Sequence, residues 1–270
     1  MRIERTRGLA RLLDPAELWR YRDVAVQIAK RDITVRYRQT FLGAAWAILQ
    51  PVATMAVFTL FFGHLARIKS EGYPYALFSL AGLVPWMFFA NAMLLGSESL
   101  IANPLLISRI YFPRIFIPTG VLVAGLLDLA VAIALLIVIV LVTWTVPGVA
   151  ILATPLLIVI MLAAALGVAS ALAAMNVRFR DVRYVVPFAT QFWLFATPIA
   201  YPITYLSEPW RTIAAINPMV GVVEGFRWAI LGGRAAPWGL IGVSGASALV
   251  LLIAGLAYFG KSERTFADIL

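Results

Sequence analysis

Six stretches of this chain, near residues 41–65, 75–97, 116–142, 150–175, 185–206 and 238–260, are apolar over about the 20 residues that a helix needs to cross a bilayer. Within hydrocarbon no water is present to satisfy backbone N–H and C=O groups. Each stretch must therefore close its hydrogen bonds internally, and unbroken apolar runs of this length do so as helices. The expectation is an all-α integral membrane protein with six transmembrane helices. Composition agrees: 62% of residues are hydrophobic and 13% charged, against about 25% charged in an ordinary soluble domain. The division that follows is a basic N-terminal segment over 1–40, a transmembrane domain over 41–260 and a short tail over 261–270.

The net charge of +9 would suggest nucleic acid in a soluble protein. Here its distribution points to topology, with no nucleic-acid partner. Of the 22 Lys and Arg residues, ten precede Phe41, two lie in 98–115, three in 176–184 and two after 260. Those four segments fall on one side of a six-span chain and leave five basic residues for the other side. Basic residues near span ends stay cytoplasmic, so both termini are expected in the cytoplasm. Met1 opens a basic segment, and no cleavable leader is expected. The chain has no cysteine, which removes disulfides and thiolate chemistry.

Two segments read differently from the spans. From Leu12 to Arg38, apolar residues alternate with Arg and Lys, and Asp14-Pro15 offers a helix start. This predicts an N-terminal amphipathic interface helix, which either anchors the chain or gathers anionic headgroups. Between 207 and 236, Glu208, Pro209, Arg211, Asn217-Pro218, Glu224 and Arg227 interrupt an otherwise apolar sequence. We expect two short re-entrant helices on the outer side between spans five and six, the rival being one additional full span.

Several motifs share one order along the chain. Arg36-Tyr37-Arg38 is followed by Leu42-Gly43, Trp46 and Pro51. Gly82-Leu83-Val84-Pro85-Trp86 precedes Asn103-Pro104-Leu105-Leu106-Ile107 and Phe112-Pro113-Arg114. Asn176-Val177-Arg178-Phe179-Arg180-Asp181 precedes Thr197-Pro198, Asn217-Pro218, Arg227 and Gly232-Gly233. Together these blocks resemble the bacterial polysaccharide-exporting permeases of the ABC-2 type. Gln50 departs from that pattern, which leads one to expect an apolar residue before Pro51.

The resemblance implies a permease subunit of an ATP-driven exporter in the bacterial inner membrane, surrounded by membrane lipids. It would pair with a second copy of itself and with two copies of a separate ABC ATPase. The cargo would be a lipid-linked polysaccharide, an O-antigen-like glycan on polyprenyl diphosphate. On this reading Arg36 and Arg38 are candidate diphosphate contacts, because guanidinium groups bond phosphate oxygens bidentately. Around 98–114 the residues alone leave open a rigid docking helix or a plain interhelical loop. The resemblance implies coupling to the ATPase through Glu98, Asn103, Leu105, Arg109, Phe112 and Arg114.

The one match to the Gly-x-x-x-x-Gly-Lys-Ser/Thr pattern, Gly255 to Ser262, falls at the end of the last expected span and not in a loop between a strand and a helix, so it makes no phosphate cradle. ATP and magnesium therefore belong to the partner ATPase, no cofactor is expected in this chain, and it is not expected to be an enzyme. Asp128 is the one acid clearly inside an expected span. Its carboxylate needs a protein partner, a dimer contact or a substrate role. His64 stands alone and makes neither a metal site nor a triad. Phe188, Phe192 and Phe195 fall on one helical face, and with Trp46 and Gln50 they are candidate channel-lining residues, although lipid-facing packing accounts for single aromatics equally well. Other readings are an ABC-2 exporter of a drug, lipid or other amphiphile, of teichoic acid or of capsular polysaccharide. A membrane-embedded sugar transferase would need clustered acids that this chain does not have.

Overall fold

The computed structural model describes residues 14–37, 45–109, 111–143, 148–232, 235–263 and 266, and among them every regular element is helical. Helix α1 spans Pro15–Arg20, where the Asp14 carboxylate accepts from the Ala16 N–H at 3.0 Å and Pro15 occupies the first turn. A helix does start at the expected Asp14-Pro15, but it breaks at Tyr21 into α1 and α2, Arg22–Tyr37. Ile28 is the buried centre of the α2 packing stripe. It sits on Gly120, where an added Cβ would lie only 2.7 Å from the Ile28 side chain.

The long helices follow. Helix α3 runs over Trp46–Phe58 and continues as π-helix through Thr59–Leu65, α4 covers Tyr75–Glu98, the short α5 Pro104–Arg109, and α6 Phe116–Val142. A 3-10 turn, Val149–Ala153, leads into α7, Thr154–Arg178. Then come α8 (Val182–Ala196), α9 (Trp210–Ala214), α10 (Pro218–Leu231) and α11 (Trp238–Ser262). Five stretches are long and apolar enough to cross a membrane: Trp46–Leu65, Tyr75–Glu98, Phe116–Val142, Val149–Arg178 and Trp238–Ser262. They coincide with five of the six expected spans.

The expected fifth span differs. Its helix ends at Ala196 and does not continue to 206. At about 1.5 Å per residue, 15 residues reach only about 22 Å, short of a 30 Å hydrocarbon core. The cause is local. Thr197 precedes Pro198 and is extended, with φ −102° and ψ 135°, because the proline ring crowds the helical conformation of the residue before it. Thr197 to Ala200 then run on as buried, non-helical chain.

Helix α4 is the hub, touching α3, α6, α7, α8 and α10. The share of the span buried within the protomer is 78% for α4 and 11% for α3, so α3 leans on the hub and leaves most of its own surface uncovered. Helices α7 and α11 cross most intimately. The backbones meet at Gly167 and Gly255, and a Cβ on either would strike the facing main chain, the small-residue contact by which membrane helices approach closely.

Contacts sort the connections into two ends. At one, Tyr111 donates to Glu17 at 3.4 Å, and the Arg114 guanidinium donates to the Glu263 carbonyl at 2.5 Å. This end gathers α1, the 98–114 segment and the end of α11. At the other, Lys69 N–H donates to Tyr205 at 3.2 Å, Thr204 to Glu71 at 2.9 Å, and Tyr73 to the Leu231 and Gly232 carbonyls at 3.0 Å each. The chain between Tyr205 and Leu231, including α9 and α10, therefore leaves and returns to the same end.

Candidate functional site

The buried stripe of α2 carries Arg36 toward α6, where its guanidinium pairs with Asp128. The one acid expected to need compensation inside a span thus receives it from the N-terminal helix, as a structural pair. The two side chains keep 20% and 28% of their surface accessible, so the pair is reachable. It opens into a cavity of about 240 Å³ that Trp46, Gln50 and Asn91 also line. Sequence reading placed Arg36, Trp46 and Gln50 in the path, and the structure brings all three together around Asp128. Arg38 lies outside the described residues. Asn91 was not foreseen, since one amide within an apolar helix carries no signal until its neighbours are known.

The unwound stretch after α8 is served by a second guanidinium. Arg227 on α10 donates to the Pro198 carbonyl at 2.6 Å, to the Ile199 carbonyl at 2.7 Å and to Glu224 at 2.7 Å, and its plane lies 3.7 Å over the Phe78 ring. Tyr75 donates to the next carbonyl, Ala200, at 2.7 Å. Three successive carbonyls that left the helical ladder are thereby satisfied, as non-helical backbone buried in a membrane protein requires. The sequence showed Glu224 and Arg227 only as interruptions; their i, i+3 spacing permits a pair, but nothing local announces the carbonyls they serve. Asn217 tightens the same region. It caps α10 through Met219 N–H at 3.0 Å and donates to Thr197 at 2.9 Å. At this end Trp228 and Trp238 meet edge-on at 5.4 Å beside a cavity of about 480 Å³, which Tyr73, Glu224 and Arg227 also line.

Phe188, Phe192 and Phe195 are 71%, 69% and 56% exposed. They form one outward stripe on α8, with Tyr184 at its start. Val186 and Thr190 on the opposite face are buried. Trp46 and Gln50 are likewise exposed on α3. Helices α3 and α8 both contact α4, and each carries exposed apolar side chains on its outward face.

The 98–114 segment is a braced element. Asn103 donates to the Ser99 carbonyl at 2.8 Å, Ile107 and Phe112 are buried, and the Arg114 N–H donates to Glu263 at 3.2 Å. Leu105 and Glu98 face outward, and Arg109 closes α5. Of the expected coupling residues, Phe112 and Arg114 are anchors that hold the element, whereas Leu105 and Glu98 are its presented surface. Beside it lies a cavity of about 470 Å³ whose lining includes Glu98, Asn176, Arg180 and Arg183 among apolar side chains.

Among the described residues no cluster of His, Cys, Asp or Glu is arranged to hold a metal. His64 contacts the Thr59 carbonyl at 3.0 Å within its own helix.

The sequence is similar to known transport proteins over nearly its whole length. The O-antigen export system permease protein RfbA of Myxococcus xanthus is 30% identical over 254 residues, covering 93% of this chain and 97% of that protein. An RfbA protein of Klebsiella pneumoniae is 27% identical over 250 residues, covering 92% and 95%. The polysialic acid transport protein KpsM of Escherichia coli is 24% identical over 242 residues, covering 87% and 91%. A sequence model described as ABC-2 type transporter matches residues 25–231, from the α2 helix through the Arg36–Asp128 pair to the end of α10, and the chain belongs to the ABC-2 type transporter family.

Proposed function

We propose that this chain is the membrane permease of an ATP-driven exporter that carries lipid-linked polysaccharide, an O-antigen-like glycan on polyprenyl diphosphate, out across the bacterial inner membrane. The observation that carries the reading is similarity over nearly the whole chain to permeases named for O-antigen export and polysialic acid transport. The braced, outward-facing α5 supports an ATPase partner, since force crosses an interface only through a rigid element. ATP and magnesium are bound by that separate subunit.

Six passages fit the chain better than five. The end that gathers α1 also gathers the end of α11, which supports an even number of crossings. The sixth is α8 with its unwound continuation, whose carbonyls Arg227 and Tyr75 satisfy. Helices α9 and α10 then act as a re-entrant pair on the outer side, and α2 rests along the cytoplasmic interface with both termini inside. Two copies would meet through the uncovered faces of α3 and α8. Phe188, Phe192 and Phe195 with Trp46 would then form the wall between them, and apolar rings tolerate many sugar faces because they fix no hydroxyl pattern. At the cytoplasmic mouth Arg36 and Arg38 would receive the diphosphate. Contact with the ATPase would fall on Leu105 and Glu98.

Deletion of the gene tests this. Polyprenyl-linked glycan should accumulate inside the cell while surface glycan disappears, and restoration of the chain should reverse both. Unchanged glycan with loss of resistance to small amphiphiles would instead identify a drug or lipid exporter.

A further inference from the structure

Resting on the reading that Arg36 receives a diphosphate, we propose that Asp128 is a specificity-determining carboxylate: it holds the Arg36 guanidinium in the empty permease and yields it to a diphosphate but not to the singly charged phosphodiesters of bulk lipid. The membrane around the cytoplasmic mouth is crowded with anionic headgroups. A bare guanidinium there would be drawn to them, because the anionic leaflet attracts basic residues at its surface. Asp128 sets a threshold. A phosphodiester offers one negative charge, the same as the carboxylate it must displace, and so gains nothing in Coulomb energy for the exchange. A diphosphate diester brings two charges and further acceptor oxygens to the five-donor fork of Arg36.

The geometry permits the exchange. The pair is partly accessible from its cavity, unlike Arg227, which is 2% exposed and enclosed by carbonyls. Gln50 and Asn91 line the same cavity and supply amide N–H groups to a displaced carboxylate. Asp128 therefore need not be left without polar partners inside a span, which a carboxylate does not tolerate. Because Arg36 rides on α2 and Asp128 on α6, the exchange also unfastens one helix from the other at this point.

The test uses the permease–ATPase complex in phosphatidylcholine nanodiscs, titrated with a short-chain polyprenyl diphosphoryl-N-acetylglucosamine or with phosphatidylglycerol. Wild type should prefer the diphosphate, Arg36→Gln should lose both ligands, and Asp128→Asn should gain phosphatidylglycerol, reducing the preference by about tenfold. An unchanged preference in Asp128→Asn, or a loss of diphosphate binding equal to that of Arg36→Gln, would overturn the proposal and make Asp128 a residue that only positions Arg36. A wild-type complex that binds neither ligand would remove the diphosphate reading itself. Should Asp128→Asn fail to assemble, the wild-type background still decides. The chain has no cysteine, so spin labels at Val35→Cys and Leu127→Cys report the α2–α6 spacing. Diphosphate should change that spacing and phosphatidylglycerol should not; no change with saturating diphosphate contradicts the exchange.

Discussion

Two of the guanidinium–carboxylate pairs of this protein, Glu224–Arg227 and Arg36–Asp128, are built from the same groups and are placed for opposite ends. Glu224–Arg227 joins neighbours on one helix and is 4% and 2% exposed, with its remaining donors taken by the Pro198, Ile199 and Phe78 carbonyls and its plane against the Phe78 ring. Arg36–Asp128 joins residues 92 positions apart on different helices and opens into a cavity. The first pair is over-determined, and every group around it depends on it. The second has a guanidinium that another anion can reach. A charge that keeps 2% of its surface and spends its donors on backbone carbonyls serves architecture even beside a cavity, whereas a charge that keeps 20% and faces spare amides can change partners.

That comparison predicts unequal mutational costs. Arg227→Met should be the most damaging, because it removes the guanidinium paired with the buried Glu224 and the donors to two unwound carbonyls. We expect about 3–5 kcal/mol of destabilisation, read as loss of monodisperse protein in detergent size-exclusion chromatography. Replacing both partners with apolar residues, Glu224→Leu with Arg227→Met, should recover part of that loss but leave the α8 continuation unsupported, since the Pro198 and Ile199 carbonyls still lack a donor. Arg36→Gln is the contrasting case. The yield and melting temperature of the complex should fall by no more than about 1 kcal/mol equivalent, while export of surface glycan stops. Equal damage from Arg36→Gln and Arg227→Met would erase the distinction between the two pairs.

Smaller effects sharpen the comparison at the surface. Phe192→Cys in the cysteine-free chain should crosslink to its counterpart in a second copy if the uncovered α8 faces meet, and single Phe→Ala changes at 188, 192 and 195 should each lower export less than their combination does. Leu105→Glu should leave stability within about 0.5 kcal/mol, as an exposed side chain distant from the core allows. It should uncouple ATP hydrolysis from export, measured as retained ATPase activity with lost surface glycan.

Much of this architecture was legible in the sequence, for physical reasons. Five spans are continuous apolar runs whose ends are marked by Arg or Pro, and burial in lipid leaves no other conformation open to them. The Asp14-Pro15 start was legible because capping is local, and the break at Tyr21 was not, because no Gly or Pro marks it. The fifth passage was read too long. Pro198 signalled a stop, but Ile199, Ala200 and Tyr201 keep the apolar character of a span, and what holds that stretch unwound is Arg227, 28 positions away from Ile199. The face shared by Phe188, Phe192 and Phe195 was readable from helical periodicity alone. Arg36 and Asp128 were each singled out, one for phosphate and one for its misplaced charge. That they are partners is a fact of how α2 folds back onto α6 over Gly120, a contact that no local pattern encodes.

The measurement that bears most directly on the account is the lipid-linked and surface glycan in cells carrying Arg36→Asp, with permease abundance and ATPase association quantified in the same membranes. The account predicts normal abundance and assembly, loss of surface glycan and accumulation of polyprenyl-linked glycan inside. Normal surface glycan at normal abundance would contradict it.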